Sequence, residues 1–271
     1  MPHRARAVPI ALALMIAMLA FAGNAAAKGE PPTRRPMRVL FVGNSYTYVN
    51  DLPYVVAVVA AARGIEIDYG MLAEPNYALP DHIVTGAYDR KLAEGWDYVV
   101  LQQGPSSLPE NRELLRVWAV RAAESARARG TRVVMFSAWP ARGNAFTWMD
   151  AELSYQLAAR ATGGCIAPIA TAWRYARAGL PGVDVYSGDD LHASEAGTLL
   201  AAQVIVRSFV VGRYMPTMPL APDEIEDPLW RDALSHATEL DAFARRAVAD
   251  IAPRCSLAKS LPGVMRDTGS R

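Results

Sequence analysis

Two short polar blocks stand out in an apolar-rich chain, GNSYT at 43–47 and SGDDLHASEAG at 187–197. The first carries Ser45. A serine hydroxyl is a weak nucleophile until a base takes its proton. The second block carries the parts of such a base. His192 lies in a polar stretch, and Asp189 precedes it by three residues. A carboxylate beside an imidazole fixes its tautomer and stabilises the imidazolium. Asp190 is the second carboxylate in range. Ser194 reads as the N-cap of the helix that follows. The alternatives are a plain capping role for Ser45 and a metal-ligand pair for Asp-x-x-His.

A third block, LQQGPSS at 101–107, closes an apolar run. Gln102 and Gln103 are candidate hydrogen-bond donors to a developing oxyanion. The patterns GxGxxG and GxxxxGK[ST] are both missing, so GNS alone is weak evidence for a nucleotide. HExxH is missing too, and the two cysteines are far apart. No cofactor and no metal are expected.

The stretches before these blocks must position them. MRVLFVG (37–43), IEIDYGML (65–72), WDYVVLQQG (96–104), TRVVMFSAW (131–139) and CIAPIATAW (165–173) read as strands, the last with a following turn or helix. They are continuous Val, Ile, Leu and Phe runs more than strict alternations, which marks strands buried on both faces. Helices are predicted from Asp51 to Gly64 with Asn50 as cap, from Glu110 to Arg129, and over 149–164, 194–212 and 227–252. Alternating strands and helices imply a three-layer α/β/α sandwich around a mainly parallel sheet. In such sheets ligands gather at the C-terminal strand ends, where Ser45 and Gln102 fall.

The remaining features bound the chain's setting. Residues 1–27 combine Arg4 and Arg6, an apolar run and an Ala-x-Ala site, the three parts of a secretory signal. Cleavage is expected after Ala27, with a periplasmic or secreted destination and no stable membrane span afterwards. Residues 28–36 read as a linker, 37–252 as one catalytic domain and 253–271 as a loose tail. The 28 Lys and Arg against 27 Asp and Glu leave no charge excess that would suit nucleic acid. An oxidising destination allows a Cys165–Cys255 disulfide, with a buried thiol at Cys165 as the alternative.

With these blocks in hand, the chain resembles SGNH/GDSL-type hydrolases over roughly 37–212, from VLFVGNSYT to DDLHASEAGTLLAA. It is similar to divergent bacterial members whose first block reads GNS, an aromatic residue and Thr. The resemblance implies a flavodoxin-like α/β/α sandwich and hydrolysis of acyl or acetyl esters of a carbohydrate or lipid. It makes Ser45 the nucleophile, His192 the base and Asp189 its orienting carboxylate. Three departures stand out. The residue before Ser45 is Asn44 where the family usually has Asp. The Gly-x-Asn-Asp block is missing, which gives Gln102 or Gln103 the place of its asparagine. The second-block glycine has no clear match, since Gly70 lies within a predicted strand, and in its place the loop AEPNYAL at 73–79 offers only backbone amides to an oxyanion, those of Asn76 and Ala78 among them. The rival readings are an acyltransferase and a catalytically silent glycan-binding protein using Trp139, Trp148 and Tyr77.

Overall fold

A computed structural model of the protein describes residues 35–209 and 226–252. The expected signal, most of the linker, the tail and Cys255 lie outside these residues, as does the end of the helix predicted over 194–212. Cys165 itself is buried.

Five strands form one parallel sheet in the order β2-β1-β3-β4-β5. They are β1 (Met37–Gly43), β2 (Ile67–Ala73), β3 (Tyr98–Leu101), β4 (Arg132–Phe136) and β5 (Cys165–Ala167). The central strands β1, β3 and β4 are buried almost throughout, as their unbroken apolar runs require. Edge strand β2 is only half-buried and carries the mixed sequence IDYGMLA. Its Gly70 makes room for an aromatic ring. A Cβ there would lie 2.4 Å from Cη2 of Trp96.

Helices cover both faces of the sheet. One packed group contains α2 (Leu52–Ala61), α7 (Ile169–Gly179), α8 (Glu195–Phe209) and α10 (Ala237–Ile251). The other contains α3 (Leu79–Val84), α4 (Ala87–Leu92), α5 (Pro109–Arg127) and α6 (Trp148–Thr162). Every residue of α8 from Ala196 to Phe209 is buried. Most of α8 is apolar, as an interior helix requires, and its buried Gln203 and Arg207 are hydrogen-bonded to Ala237 O and to Asp241.

Three expectations about elements need correction. The helix after the first block starts at Leu52, with Pro53 in its first turn, and Asn50 does not cap it. Asn50 (φ 54°) and Asp51 (φ 49°) are both left-handed, a conformation that Asn and Asp tolerate best among non-glycine residues. The Asn50 amide instead donates to Ala193 O and Thr198 Oγ1, both at 3.0 Å. The final helix is two helices, α9 (Pro228–Ser235) and α10, joined at His236. Asp227 caps α9 by accepting from Leu229 N at 2.9 Å, and the break lets α10 lie along α8. Lastly, α3 and α4 occupy the crossover from β2 to β3, where no helix is predicted. Each is six residues long, too short to display a clear 3.6-residue period.

Candidate active site

The three blocks meet at the carboxyl edge of the sheet. Ser45 leaves β1 two residues after its last strand residue and opens the single-turn α1 (Ser45–Tyr48), capped by Asn44. Three side chains lock this turn from below. Gln102 Oε1 accepts from Asn44 N (3.0 Å) and from Thr47 Oγ1 (2.9 Å). Gln102 Nε2 donates to Asn44 Oδ1 (3.0 Å) and to Gln103 O (2.6 Å). Asn44 Oδ1 also accepts from Tyr46 N, and Asn44 Nδ2 donates to Tyr77 O at 2.9 Å. The expected glycine at 43 has a measurable cause. A Cβ there would sit 2.2 Å from Gln102 Oε1.

The second block presents a bonded dyad. Asp189 Oδ2 accepts from His192 Nδ1 at 2.5 Å. Its other oxygen accepts from Ser187 Oγ (2.7 Å), Leu191 N (2.9 Å) and His192 N (2.8 Å). The His192 hydrogen bond, then the backbone amides of His192 and Leu191, hold the Asp189 carboxyl well below the usual carboxylate range. With Nδ1 donating to a carboxylate, His192 Nε2 is left as the acceptor nitrogen in the neutral ring. Nε2 is buried and has no hydrogen-bond partner among the described residues. Asp190 turns away, in a left-handed conformation (φ 60°). Its carboxylate takes Arg142 Nε at 2.5 Å, and Arg142 also holds Asp184 at 2.6 Å. Of the two aspartates, Asp189 is the one hydrogen-bonded to His192. Ser194 caps α8 as expected, accepting from Gly197 N at 3.1 Å.

The two blocks are joined by contacts on either side of Ser45. The ring of Tyr46 lies 6.2 Å from the His192 ring, centroid to centroid. Asn50 ties the segment after Ser45 to Ala193, the residue after His192. Ser45 is half-buried, and neither its amide nor its hydroxyl makes a hydrogen bond among the described residues. A buttress of aromatics stands behind the pair. Trp139 is fully buried, stacks on Trp173 at 3.8 Å and meets Tyr46 edge-on at 4.9 Å. Its indole N–H donates to Leu191 O at 2.9 Å, which pins the His192 loop to the end of β4. Trp139 and Trp148 are therefore interior residues, while Tyr77 is exposed.

The oxyanion candidates differ in what hydrogen-bonding capacity remains. Both N–H bonds of Gln102 are in use. Gln103 Nε2 donates to Ser106 Oγ (2.9 Å), and its Oε1 accepts from Leu79 N (3.2 Å), which leaves one N–H. The Ala78 amide donates to Asp81 Oδ2 at 2.8 Å. Asn76 is exposed and left-handed (φ 63°), with no bonded amide among the described residues.

Several residues that hold the site are not evident from the sequence. Tyr155 is one, its hydroxyl bonded to both the amide and the carbonyl of Gln103. His82 is another. It is buried, and Nε2 lies 2.8 Å from Gly43 O. Its only signal in the sequence is the scarcity of histidine. Burial pushes the His82 ring below its ordinary value of 6.5, against smaller opposing effects of Gly43, Asp81 and Glu74. The unfolded chain therefore binds the proton more readily than the folded one. Stability should then be full above pH 6.5 and fall as pH drops below it, down to the folded value. Denaturant titrations between pH 5 and 8 should show this slope in the wild type and a flatter one in His82→Gln.

No protein-family model and no curated protein matches this chain. Solved structures do. A DUF4886 family protein from Bacteroides uniformis aligns with TM-score 0.62 at 19% identity, covering 79% of this chain and 95% of that one. A protein described as an SGNH hydrolase from Slackia heliotrinireducens aligns with TM-score 0.53 at 24% identity, over 64% of this chain and 98% of its own. A lipase/acylhydrolase from Enterococcus faecalis gives TM-score 0.54 at 18% identity, over 64% and 95%. A five-stranded parallel sheet flanked by helices, in the arrangement these structures share, gives this chain the fold of the SGNH/GDSL-type hydrolases.

Proposed function

We propose that the protein is an exported serine hydrolase that cleaves carboxylic esters, acyl or acetyl esters of a carbohydrate or lipid, with Ser45, His192 and Asp189 as its triad. The observation that carries this reading is the Asp189–His192 dyad. Its outer nitrogen is buried and unengaged, and it is tied through Tyr46 and Asn50 to the turn bearing an equally unengaged Ser45. Unbonded groups of this kind are what a resting site needs, because catalytic hydrogen bonds often tighten only with substrate present.

In the proposed reaction, His192 Nε2 takes the Ser45 proton as Oγ attacks the ester carbonyl carbon. The carbonyl oxygen gains the negative charge. The Ser45 amide, the spare N–H of Gln103 and the Asn76 amide are its donors. As the tetrahedral intermediate collapses, the ester C–O bond breaks and His192 protonates the departing alcohol. Water, deprotonated by His192, then attacks the acyl carbon on Ser45; the bond from that carbon to Oγ breaks, His192 returns the proton to Oγ, and the carboxylic acid leaves. Throughout, Asp189 stabilises the imidazolium without taking its proton. An alcohol in place of that water would give acyl transfer, and product analysis with added acceptor alcohol separates the two outcomes. The glycan-binding alternative loses support, since two of its three aromatic residues are interior.

Labelling by a fluorophosphonate tests the reading directly. One adduct is expected, on the peptide containing Ser45, together with loss of p-nitrophenyl acetate hydrolysis. Hydrolysis that survives full labelling, or an adduct elsewhere, would overturn the assignment.

The oxyanion assignment makes a separate prediction. Gln103→Ala should lower turnover by about 100-fold, equivalent to about 3 kcal/mol of transition-state stabilisation, and should also cost stability, because the buried Leu79 amide loses its acceptor. Gln102→Ala should lower both stability and turnover, because Gln102 Oε1 holds the turn that presents Ser45. It leaves the buried amide of Asn44 without an acceptor, which costs about 1–3 kcal/mol. Native turnover in Gln103→Ala that is still folded by urea titration would refute its assignment as oxyanion donor.

A further inference from the structure

We propose that His82 is a positioning residue for this site, an inference that rests on Ser45 being the nucleophile. The carbonyl of Gly43 can only accept, so His82 Nε2 carries the hydrogen in their 2.8 Å bond. The peptide between Gly43 and Asn44 is consequently held at both ends by buried side chains. His82 grips its C=O, and Gln102 Oε1 grips its N–H at 3.0 Å. That peptide immediately precedes the one leading into Ser45. Fixing its plane fixes where the Ser45 side chain starts.

The same histidine joins two halves of the site. It sits on α3, directly after the loop that carries Asn76. The ring of Tyr77 lies 5.0 Å from the His82 ring, and Tyr77 O accepts from Asn44 Nδ2. Gly43 O also takes Glu74 N, at a longer 3.3 Å. His82 is thus the buried tie between the loop proposed to hold the oxyanion and the turn that presents the nucleophile.

A purely space-filling role does not account for this residue. Nδ1 is buried and has no hydrogen-bond partner among the described residues. An imidazole so placed carries the cost of an unpaired polar atom, which a leucine in the same space would avoid. What histidine adds over leucine is the N–H aimed at Gly43.

Removing that N–H should let the Gly43–Asn44 peptide rotate and move Ser45 by a fraction of an ångström. Small displacements of a reacting group carry large rate penalties. His82→Leu is therefore expected to lower kcat by about 10- to 100-fold while KM changes by less than about 2-fold. His82→Gln places an amide N–H at similar reach and should restore most of kcat. Two measurements do not depend on activity. In wild-type protein, 15N NMR should find the His82 ring as the neutral Nε2–H tautomer. Amide hydrogen exchange at residues 44–47 should quicken in His82→Leu and stay near wild type in His82→Gln. A Leu variant with native kcat and native exchange would overturn the inference, as would a wild-type ring carrying its hydrogen on Nδ1. If Leu does not fold, the tautomer and the Gln variant still decide, since a Gln variant that folds and exchanges rapidly at 44–47 counts against it. Should wild-type hydrolysis prove independent of Ser45, the proposed function fails, while exchange and tautomer still judge the tie.

Discussion

Ser45→Ala and His192→Ala should each lower ester turnover by about 10⁴- to 10⁶-fold while leaving the unfolding midpoint nearly unchanged. Triad members act as a unit, so losing either the nucleophile or its base removes most of what the group achieves. The double variant should be scarcely worse than either single one. Ser45→Ala breaks no side-chain hydrogen bond among the described residues, and His192→Ala breaks only the bond to the exposed Asp189 carboxylate, whose contacts with Ser187, Leu191 and His192 N remain. The two aspartates should part company. Asn at 189 still accepts the backbone amides of Leu191 and His192 through one oxygen, so the loop persists. Its other atom becomes an N–H facing His192 Nδ1, which forces the ring hydrogen onto Nε2 and removes the base. A loss on the order of 10⁴-fold follows. Asp190→Asn loses only exposed bonds to Arg142 and should change turnover by a few-fold at most. Equal losses at 189 and 190, or native turnover in Ser45→Ala, would sink the triad assignment.

Much of the candidate site is legible in the sequence because its proposed residues sit in contiguous blocks. Ser45 follows a buried strand by two residues, and the Asp189–His192 spacing needs no long-range knowledge. The central strands are equally plain, since burial on both faces leaves unbroken runs such as VLFV. What the sequence hides is the support between distant segments. Asn50 looks like a helix cap locally, yet its amide reaches a residue 143 positions away. Trp139 reads as pocket or core alike until its indole is seen to hold Leu191. His82 lies in a six-residue helix with no clear period, and only the fold brings it under Gly43. Strand ends are overrun for a related reason. The 131–139 run stays buried beyond Phe136, so hydrophobicity continues after the ladder stops. The broken terminal helix belongs with these cases. Its sequence is amphipathic throughout, and the break serves packing on α8.

That packing sets the largest expected stability effect. Asp241 on α10 is almost fully buried and accepts from two arginines on two other segments. Arg63, just past α2, donates to Oδ1 at 2.8 Å, and Arg207 on α8 donates to Oδ1 at 2.8 Å and to Oδ2. Both guanidiniums are themselves largely buried. Burial pushes Arg63 down from its ordinary value, and the neighbouring Asp241 charge opposes that shift. Asp241→Ala would leave two interior cations facing each other without an anion. Removing one partner from such a cluster costs about 3–5 kcal/mol, since the remaining charge stays buried and unpaired. Glu94→Ala, which breaks the exposed Lys91–Glu94 pair, should cost about 0.5 kcal/mol or less. Urea unfolding of the two variants gives the comparison, and fluorophosphonate labelling of folded Asp241→Ala adds a second reading. Because α8 follows directly on the His192 loop, loosening its far end should slow labelling only when the helix itself shifts. An Asp241→Ala protein as stable as the wild type would mean that the two arginines find water or another anion, and that this cluster is not what holds α10 to the domain.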